Sequence, residues 1–322
     1  MRAVQVEAFA DPKSMVVSEV VERTPGHGEV KLRIAGIGIG FFDGLLVKGE
    51  YQIKPPLPFI PGSSIAGIVE ELGDGVNTLK VGDHVAAFVF LGGMAEKVTL
   101  AAQFCTPLPK DLALVDAANF FIAYATGLYG LRECGRLQAG ETVLILGASG
   151  TTGSTAIEIA KAMGARVIAC ASTEEKRQAC IRLGADIAID NSAEDWHKQV
   201  KAIAGRGINV VYDPIGGHFT ESALRLLAPG GRHLIVGFVA GIAKIPSNLP
   251  LLKRCSVIGV NWGAETMDNP AIVPPVISQL IDWAMAGKLH STPENIYPME
   301  RAGEAFAAIF ERRSHGKIVI VP

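Results

Sequence analysis

Gly147, Gly150 and Gly153 stand three residues apart in the stretch Thr142-Val-Leu-Ile-Leu-Gly147-Ala-Ser149-Gly150-Thr151-Thr152-Gly153. The run Thr142–Leu146 has the length and β-branched content of a buried strand. Behind the glycines, apolar Ala156, Ile157, Ala160 and Met163 recur at helical spacing. A strand, a tight glycine turn and a helix, in that order, begin a dinucleotide-binding Rossmann unit. The glycines let the backbone turn sharply and approach a pyrophosphate. The amides and the positive dipole end of the helix then hold the anion. Gly147, Ser149, Gly150, Thr151, Thr152 and Gly153 are therefore candidate cofactor contacts.

The next strand ends at Cys170-Ala-Ser172-Thr173. An NAD site presents an Asp or Glu there to the ribose 2′-hydroxyl. Positions 171–173 carry none. Ser172 offers a hydroxyl and Lys176 a cation one helical turn on, which suits the 2′-phosphate of NADPH. Glu174 and Glu175 run against this reading, although acids are also ordinary in a first helical turn. The alternative for Lys176 is a solvated helix lysine.

These residues need a scaffold, and a chain of 322 residues suits two domains. Residues 1–120 show short alternating or apolar runs at Val4–Phe9, Val16–Val20, Val30–Ile39, Ser64–Leu72, His84–Val89 and Glu96–Leu100. Gly, Pro and Asp turns separate them, which predicts a β-rich, partly open barrel. A helix is expected over Ala117–Leu131. From Glu141 the pattern becomes strand and helix in alternation. Its strands are Thr142–Leu146, Arg166–Cys170, Ile187–Ile189, Val210–Tyr212, His233–Val236 and Ser256–Val260. Unbroken apolar strands belong to a sheet covered on both faces, and six of them make the doubly wound fold. Helices Val273–Ala286 and Arg301–Arg312 and a strand Lys317–Val321 follow. The expected fold class is α/β, with a β-rich domain at 1–120 and 264–322 and a Rossmann domain at 121–263.

Composition narrows the function. Hydrophobic residues make up 49% and charged residues 19%, as in a soluble globular protein. A net charge of −2 gives no basic field for nucleic acid or an acidic membrane. No apolar run of about 18–20 residues predicts a membrane span, and the N-terminus lacks the apolar core of a signal peptide. The five cysteines are scattered and form no Cys-x-x-Cys, which reads as reduced thiols in a cytoplasmic enzyme.

The whole chain resembles a family. The marks are Pro58-Phe-Ile-Pro61-Gly62 with Ala66-Gly67, Gly82-Asp83-His-Val85, Thr126-Gly-Leu-Tyr129, Gly140-Glu-Thr-Val-Leu with the glycine turn, Asp213-Pro-Ile-Gly-Gly217, Pro229-Gly-Gly-Arg232 and Gly316-Lys317-Ile-Val. They are similar to the zinc-free quinone oxidoreductase branch of the medium-chain dehydrogenase/reductase superfamily. Zinc enzymes of that superfamily carry a Cys in the first-domain loop and His-Glu after the Pro-Gly. Here the loop is Gly38-Ile-Gly40-Phe41-Phe42-Asp43 and Pro61-Gly62 precedes Ser63-Ser64, so no metal ligand is expected. Departures from the branch are Gly40 for an amide beside the nicotinamide, Thr151 for Gly, Glu158 for Gln, and Asn191 for a tyrosine at the 2′-phosphate.

The resemblance implies a GroES-like catalytic domain and metal-free hydride transfer from NADPH to a quinone or activated alkene. The protein's part is to orient the reactants and stabilise charge on oxygen. It makes Tyr51 a candidate proton donor, with a cleft-lining aromatic as the alternative. Thr126 resembles a threonine that contacts nicotinamide, and its alternative is a hydroxyl bonded to the helix backbone. Gly237, Phe238, Asn261 and Trp262 follow parallel strands, where ligands gather, with Trp262 lining the acceptor pocket or, as the alternative, forming interdomain core. Lys317 resembles a cation near the cofactor. Gly40, Phe41 and Phe42 would leave the substrate side flat and apolar, with first-domain packing as the alternative. The sixth strand is an apolar sheet edge, and family members pair such edges, which implies a homodimer. Two rival functions are an enoyl-thioester reductase and a non-enzymatic, crystallin-like nucleotide-binding protein.

Overall fold

The computed structural model describes residues 1–322 and divides into two units, Met1–Ala123 with Ser291–Pro322, and Tyr124–His290. The expected return to the first unit at residue 264 differs from this division. Helix Val273–Met285 buries Val276, Ile277 and Leu280 and packs on Ala125–Leu128, so it stays with the second unit. Other elements absent from the sequence pattern include a helix at Trp262–Asp268 and a strand at Asn295–Pro298.

In the first unit, β1 (Arg2–Val4) and β2 (Val17–Glu19) form an antiparallel pair. The strand expected over Val4–Phe9 stops at Val4, and Val6 makes only an isolated bridge to Phe59. The larger sheet is built on β3 (Glu29–Gly38), which pairs along its length with β4 (Ser64–Leu72). β5 (His84–Phe88) continues the sheet beyond β4. On the other edge of β3, residues 29–33 take β6 (Lys97–Ala101), whereas Ile37 and Gly38 take the C-terminal strand Ile318–Val321. One edge shared between two partners curls the sheet into the partly open barrel. A short β7 (Cys105–Pro107) closes the β5 side. Val30, Leu32, Ile65, Val85, Phe306 and Ile320 fill the interior, each fully buried. Burial of that kind stabilises by about 1.5–3 kcal/mol per large side chain.

The second unit is a parallel sheet of β8 (Thr142–Ile145), β9 (Arg166–Ala171), β10 (Ile187–Asp190), β11 (Ile208–Asp213), β12 (Leu227–Ile235) and β13 (Ser256–Gly259). Their spatial order is β10-β9-β8-β11-β12-β13, the doubly wound order expected. The order reverses between β8 and β11, where such folds bind dinucleotides. One segment, Leu114–Cys134, is helical over 21 residues and apolar enough to cross a membrane by composition, against the sequence expectation. Of its most apolar window 67% is buried inside the protein. It contains π-helical turns at Phe120–Tyr124 and Tyr129–Cys134, on either side of Thr126.

Candidate cofactor and substrate sites

The three glycines after β8 do different work. Gly147 has φ of 55°, and a Cβ there would lie 2.4 Å from Ile215 Cδ1. Gly153 is in helix Thr151–Ala162, and a Cβ there would lie 2.3 Å from the Gly147 carbonyl oxygen. The chain itself demands both glycines. Gly150 differs: its φ is −75°, and an added Cβ would meet nothing nearer than 3.5 Å. It stands at the N-cap and gives no side-chain cap to the first-turn amides. The space above Gly150 suits an anionic ligand that takes up those amides, so the residues present fit a dinucleotide pyrophosphate.

The ends of β9 and β10 lie side by side, with Ala171 opposite Asp190. This brings Ser172, Lys176 and Asn191 to one corner. Ser172 is exposed; Lys176 and Asn191 are half-buried. Thr173 caps the next helix, accepting from the Lys176 amide at 3.3 Å. Sequence reading missed Asp190 as a member of this corner. Arg177 Nη1 pairs with Asp190 Oδ2 at 3.0 Å and Arg177 Nη2 with Glu174 Oε2 at 2.8 Å. Both carboxylates are held below the ordinary range, Glu174 by the Gln178 and Arg177 hydrogen bonds and Asp190 by Ser192 and Arg177. Of the two acids that ran against a phosphate, Glu174 is paired with this guanidinium, which it shares with Asp190.

A wall beyond β11 and β12 rests on Asp213, which sequence reading quoted in a motif without assigning it a role. Its Oδ1 accepts the amides of Ile215 at 2.9 Å and Gly216 at 2.8 Å. Its Oδ2 accepts the Thr220 hydroxyl at 2.7 Å and stands 3.0 Å from His233 Nε2. Burial raises the carboxyl, but the His233 hydrogen bond and charge, the Gly216 amide and the Thr220 hydroxyl outweigh it and hold the group ionised. The turn so fixed is stitched to the next loop. The Gly217 amide donates to Gly241 and the Ala240 amide to Ile215, both at 2.8 Å. Gly237 sits where a Cβ would lie 2.8 Å from the Pro214 carbonyl oxygen, and Phe238 beside it is 47% exposed.

Thr126 is carried by the helical segment that lies against helix Thr151–Ala162. Its neighbour Gly127 permits the approach, since a Cβ there would lie 2.7 Å from Ile159 Cδ1. Thr126, the glycine turn, the β9–β10 corner and the Asp213 wall all belong to the second unit.

The first unit holds the residues assigned to the substrate. The expected loop Gly38–Asp43 is in fact the start of helix Phe41–Lys48. Gly40 is the N-cap, Asp43 Oδ2 reaches back to the Gly40 amide at 2.9 Å, and Gly49 closes the helix in a left-handed conformation. These are cap signals readable in sequence. Phe41 and Phe42 stand in its first turn, both half-buried. Phe42 meets Tyr51 with ring centroids 5.8 Å apart, and Phe41 meets Phe310 at 5.0 Å. A Cβ at Gly40 would meet only Asp43 Oδ2, at 3.9 Å, so the missing side chain leaves room. Burial, then the nearby Asp43, push the Tyr51 phenol up, which keeps it protonated and able to donate.

Where zinc enzymes carry His-Glu, Ser63 Oγ donates to Asp43 Oδ1 at 3.2 Å and Ser64 Oγ donates to the Ala118 carbonyl. No three His, Cys, Asp or Glu side chains gather to hold a metal. These residues do not fit a zinc ion.

Burial pushes the Asp43 carboxyl up to about 7, against the amide and hydroxyl that favour its charged form. The folded state therefore prefers the protonated acid. The contribution of Asp43 to stability is complete below its unfolded value near pH 4 and is lost as pH rises towards 7, by on the order of 4 kcal/mol at most. Asp43→Asn is expected to flatten thermal melting temperature between pH 4.5 and 8. An unchanged slope in those melts would refute this assignment.

Three assigned residues are placed otherwise. Lys317 is in the first unit, fully buried, with Nζ 3.2 Å from Glu294 Oε1, so it presents no cation to a cofactor. Trp262 is 3% exposed and packs on Tyr129 at 5.6 Å, a core aromatic rather than a substrate wall. Asn261 Oδ1 caps helix Trp262–Asp268, accepting from Ala264 at 3.0 Å, which commits its carbonyl oxygen to the protein.

Known proteins share this fold. Residues 26–110 match the alcohol dehydrogenase GroES-like domain and residues 151–279 the zinc-binding dehydrogenase domain. Quinone oxidoreductase-like protein 2 of Rattus norvegicus is 35% identical over 309 residues, 95% of this chain and 88% of that one. The quinone oxidoreductase of the same species is 31% identical over 325 residues, 100% of this chain and 98% of that one. The crystal structure of Escherichia coli quinone oxidoreductase complexed with NADPH superposes with a TM-score of 0.92 at 25% identity, covering 100% of each chain. With the doubly wound order, the glycine turn and the GroES-like sheet, the chain belongs to the quinone oxidoreductase-like proteins of the medium-chain dehydrogenase/reductase superfamily.

Proposed function

We propose that the chain is an NADPH-dependent oxidoreductase that reduces a quinone or an activated alkene without a metal. The observation that carries this reading is the open, uncapped helix start at Gly150, flanked by two glycines the fold itself requires. When bound, NADPH supplies the hydride. Gly150 and the first-turn amides hold the pyrophosphate, Ser172, Lys176 and Asn191 the 2′-phosphate, and Thr126 and Phe238 the nicotinamide half. Phe41, Phe42 and Tyr51 form the aromatic surface assigned to the substrate, and Tyr51 is the proton donor.

Steady-state NADPH oxidation against quinones, enones and enoyl thioesters, with metal analysis of the same preparation, tests the reading. Quinone turnover with metal-free protein is expected. Lys176→Ala should cut the NADPH-over-NADH preference in kcat/KM by about tenfold or more, the worth of one charge-assisted hydrogen bond. An unchanged ratio removes Lys176 from the phosphate site. A large kcat loss in Tyr51→Phe confined to enoyl thioesters would favour the enoyl-thioester reading. That reading needs a cationic groove. The groove lined by Lys13, Arg301 and Arg313 has its cations paired with Glu311 and Glu304, which does not favour it.

The proposal includes a homodimer formed along β13. That strand has one free edge, and Leu251 and Leu252 on the preceding helix are 77% and 70% exposed. An open apolar edge invites pairing with a second copy. Sedimentation of the same preparation should give a two-chain species that Leu251→Lys with Leu252→Lys converts to one chain. A wild-type monomer at micromolar concentration contradicts the proposal.

A further inference from the structure

Glu158 lies in the middle of helix Thr151–Ala162, only 1% exposed, where the resembled family carries Gln. Its Oε2 accepts the Tyr124 hydroxyl at 3.0 Å and the His290 amide at 2.6 Å. The Tyr124 hydroxyl also stands 3.3 Å from the His290 carbonyl oxygen. Tyr124 and His290 are the first and last residues of the second unit. One carboxylate therefore ties three segments: the helix behind the glycine turn, the segment that carries Thr126, and the end of the unit's chain.

The packing shows what this tie fixes. Tyr124 and Gly127 share one face of their segment, being three residues apart. Facing them are Glu158 and Ile159, and Gly127 lets Ile159 approach to contact. A steric stop at Gly127 and a polar anchor at Tyr124 leave little freedom to slide one segment along the other. Thr126 lies between them. Glu158 Oε2 accepts from both the phenol and the amide, so one atom serves both partners.

We propose that Glu158 is a positioning residue for the nicotinamide half of the cofactor site, holding Thr126 in register with the glycine turn. The inference rests on the NADPH reading for its ligand, but the tie itself can be read without any ligand. Its effect is selective. The adenosine corner at Ser172, Lys176 and Asn191 is built on the ends of β9 and β10, and none of the three hydrogen-bond contacts of the tie involves a residue of either strand.

The test compares wild type, Glu158→Gln and Glu158→Leu by fluorescence titration with NADPH and by calorimetric titration with 2′,5′-ADP, which carries only the adenosine half. In Glu158→Leu the NADPH Kd should rise tenfold or more while the 2′,5′-ADP Kd stays within about threefold. Glu158→Gln, whose amide oxygen can still accept both bonds, should restore NADPH binding to within about threefold. Equal losses for both ligands, or no loss for either, would overturn the proposal. Amide hydrogen exchange without ligand gives the second measurement. The amides of residues 124–128 and of His290 should exchange faster in Glu158→Leu and return in Glu158→Gln. Unchanged exchange there defeats the tie itself. Failure of wild type to bind NADPH while these amides respond as described defeats only the functional reading.

Discussion

Gly150→Ala is expected to fold normally and to lose NADPH affinity by tenfold or more, whereas Gly153→Ala is expected to destabilise the protein by about 3 kcal/mol or more. The two substitutions are chemically identical and stand in one motif. They differ in what the new methyl meets. At Gly150 the nearest atom of the chain is 3.5 Å away and φ is one any residue adopts, so the cost to folding is the modest one of Ala at an N-cap, about 1 kcal/mol. The methyl instead enters the space assigned to the pyrophosphate. At Gly153 it would press to 2.3 Å on the Gly147 carbonyl oxygen and to 2.7 Å on Ala148 Cα. Both are backbone atoms with no rotamer to yield, and the turn would have to move. Thermal melting beside NADPH titration separates the two outcomes. Equal melting temperatures for both variants, or retained affinity in Gly150→Ala, would show that the glycines are not divided in this way.

Asp213→Ala should be the most damaging single change outside the glycine turn, by about 3–5 kcal/mol. Removing the carboxylate strands a buried imidazole, a buried hydroxyl and two amides at once. Asp213→Asn separates charge from shape. The native carboxyl is held below its ordinary value, so its contribution is complete above the unfolded value near pH 4 and disappears as pH falls through the folded value. The gap in melting temperature between wild type and Asp213→Asn should therefore be wide at pH 6–7 and close towards pH 3. A gap of constant width would mean that the charge is not what stabilises the turn.

How far the sequence reached can be judged residue by residue. The strand order of the second unit was legible because buried parallel strands are unbroken apolar runs and the glycine turn anchors the first of them. Helix Phe41–Lys48 was missed although Asp43 and Gly49 are its caps, because the glycines and phenylalanines around them give little helical periodicity. Helix Val273–Met285 was read correctly as a helix but given to the wrong unit, since a hydrophobic face does not say which core it enters. Trp262 is assigned by its position after a strand and Lys317 by the family resemblance. Neither shows the inward rotation of the one or the buried partner of the other. Asp213 and Glu158 were quoted only as parts of a pattern. Their importance lies in partners 20 and 132 residues away, a separation that local spacing cannot show.

The edge of β3 that is split between β6 and Ile318–Val321 has a consequence for the order in which the protein can be made. The second unit has all of its residues once His290 is synthesised, so it can form its own sheet while the rest of the chain is still being added. The first unit starts earlier and finishes later. Ile37 and Gly38 wait for Val319 and Ile320, which follow the whole of the second unit, before that end of β3 is paired. Closing contacts so distant in sequence is slow, and until then the chain carries an open strand edge of the kind that pairs with strangers. The unit assigned to the substrate is thus the one more exposed to misassembly during synthesis.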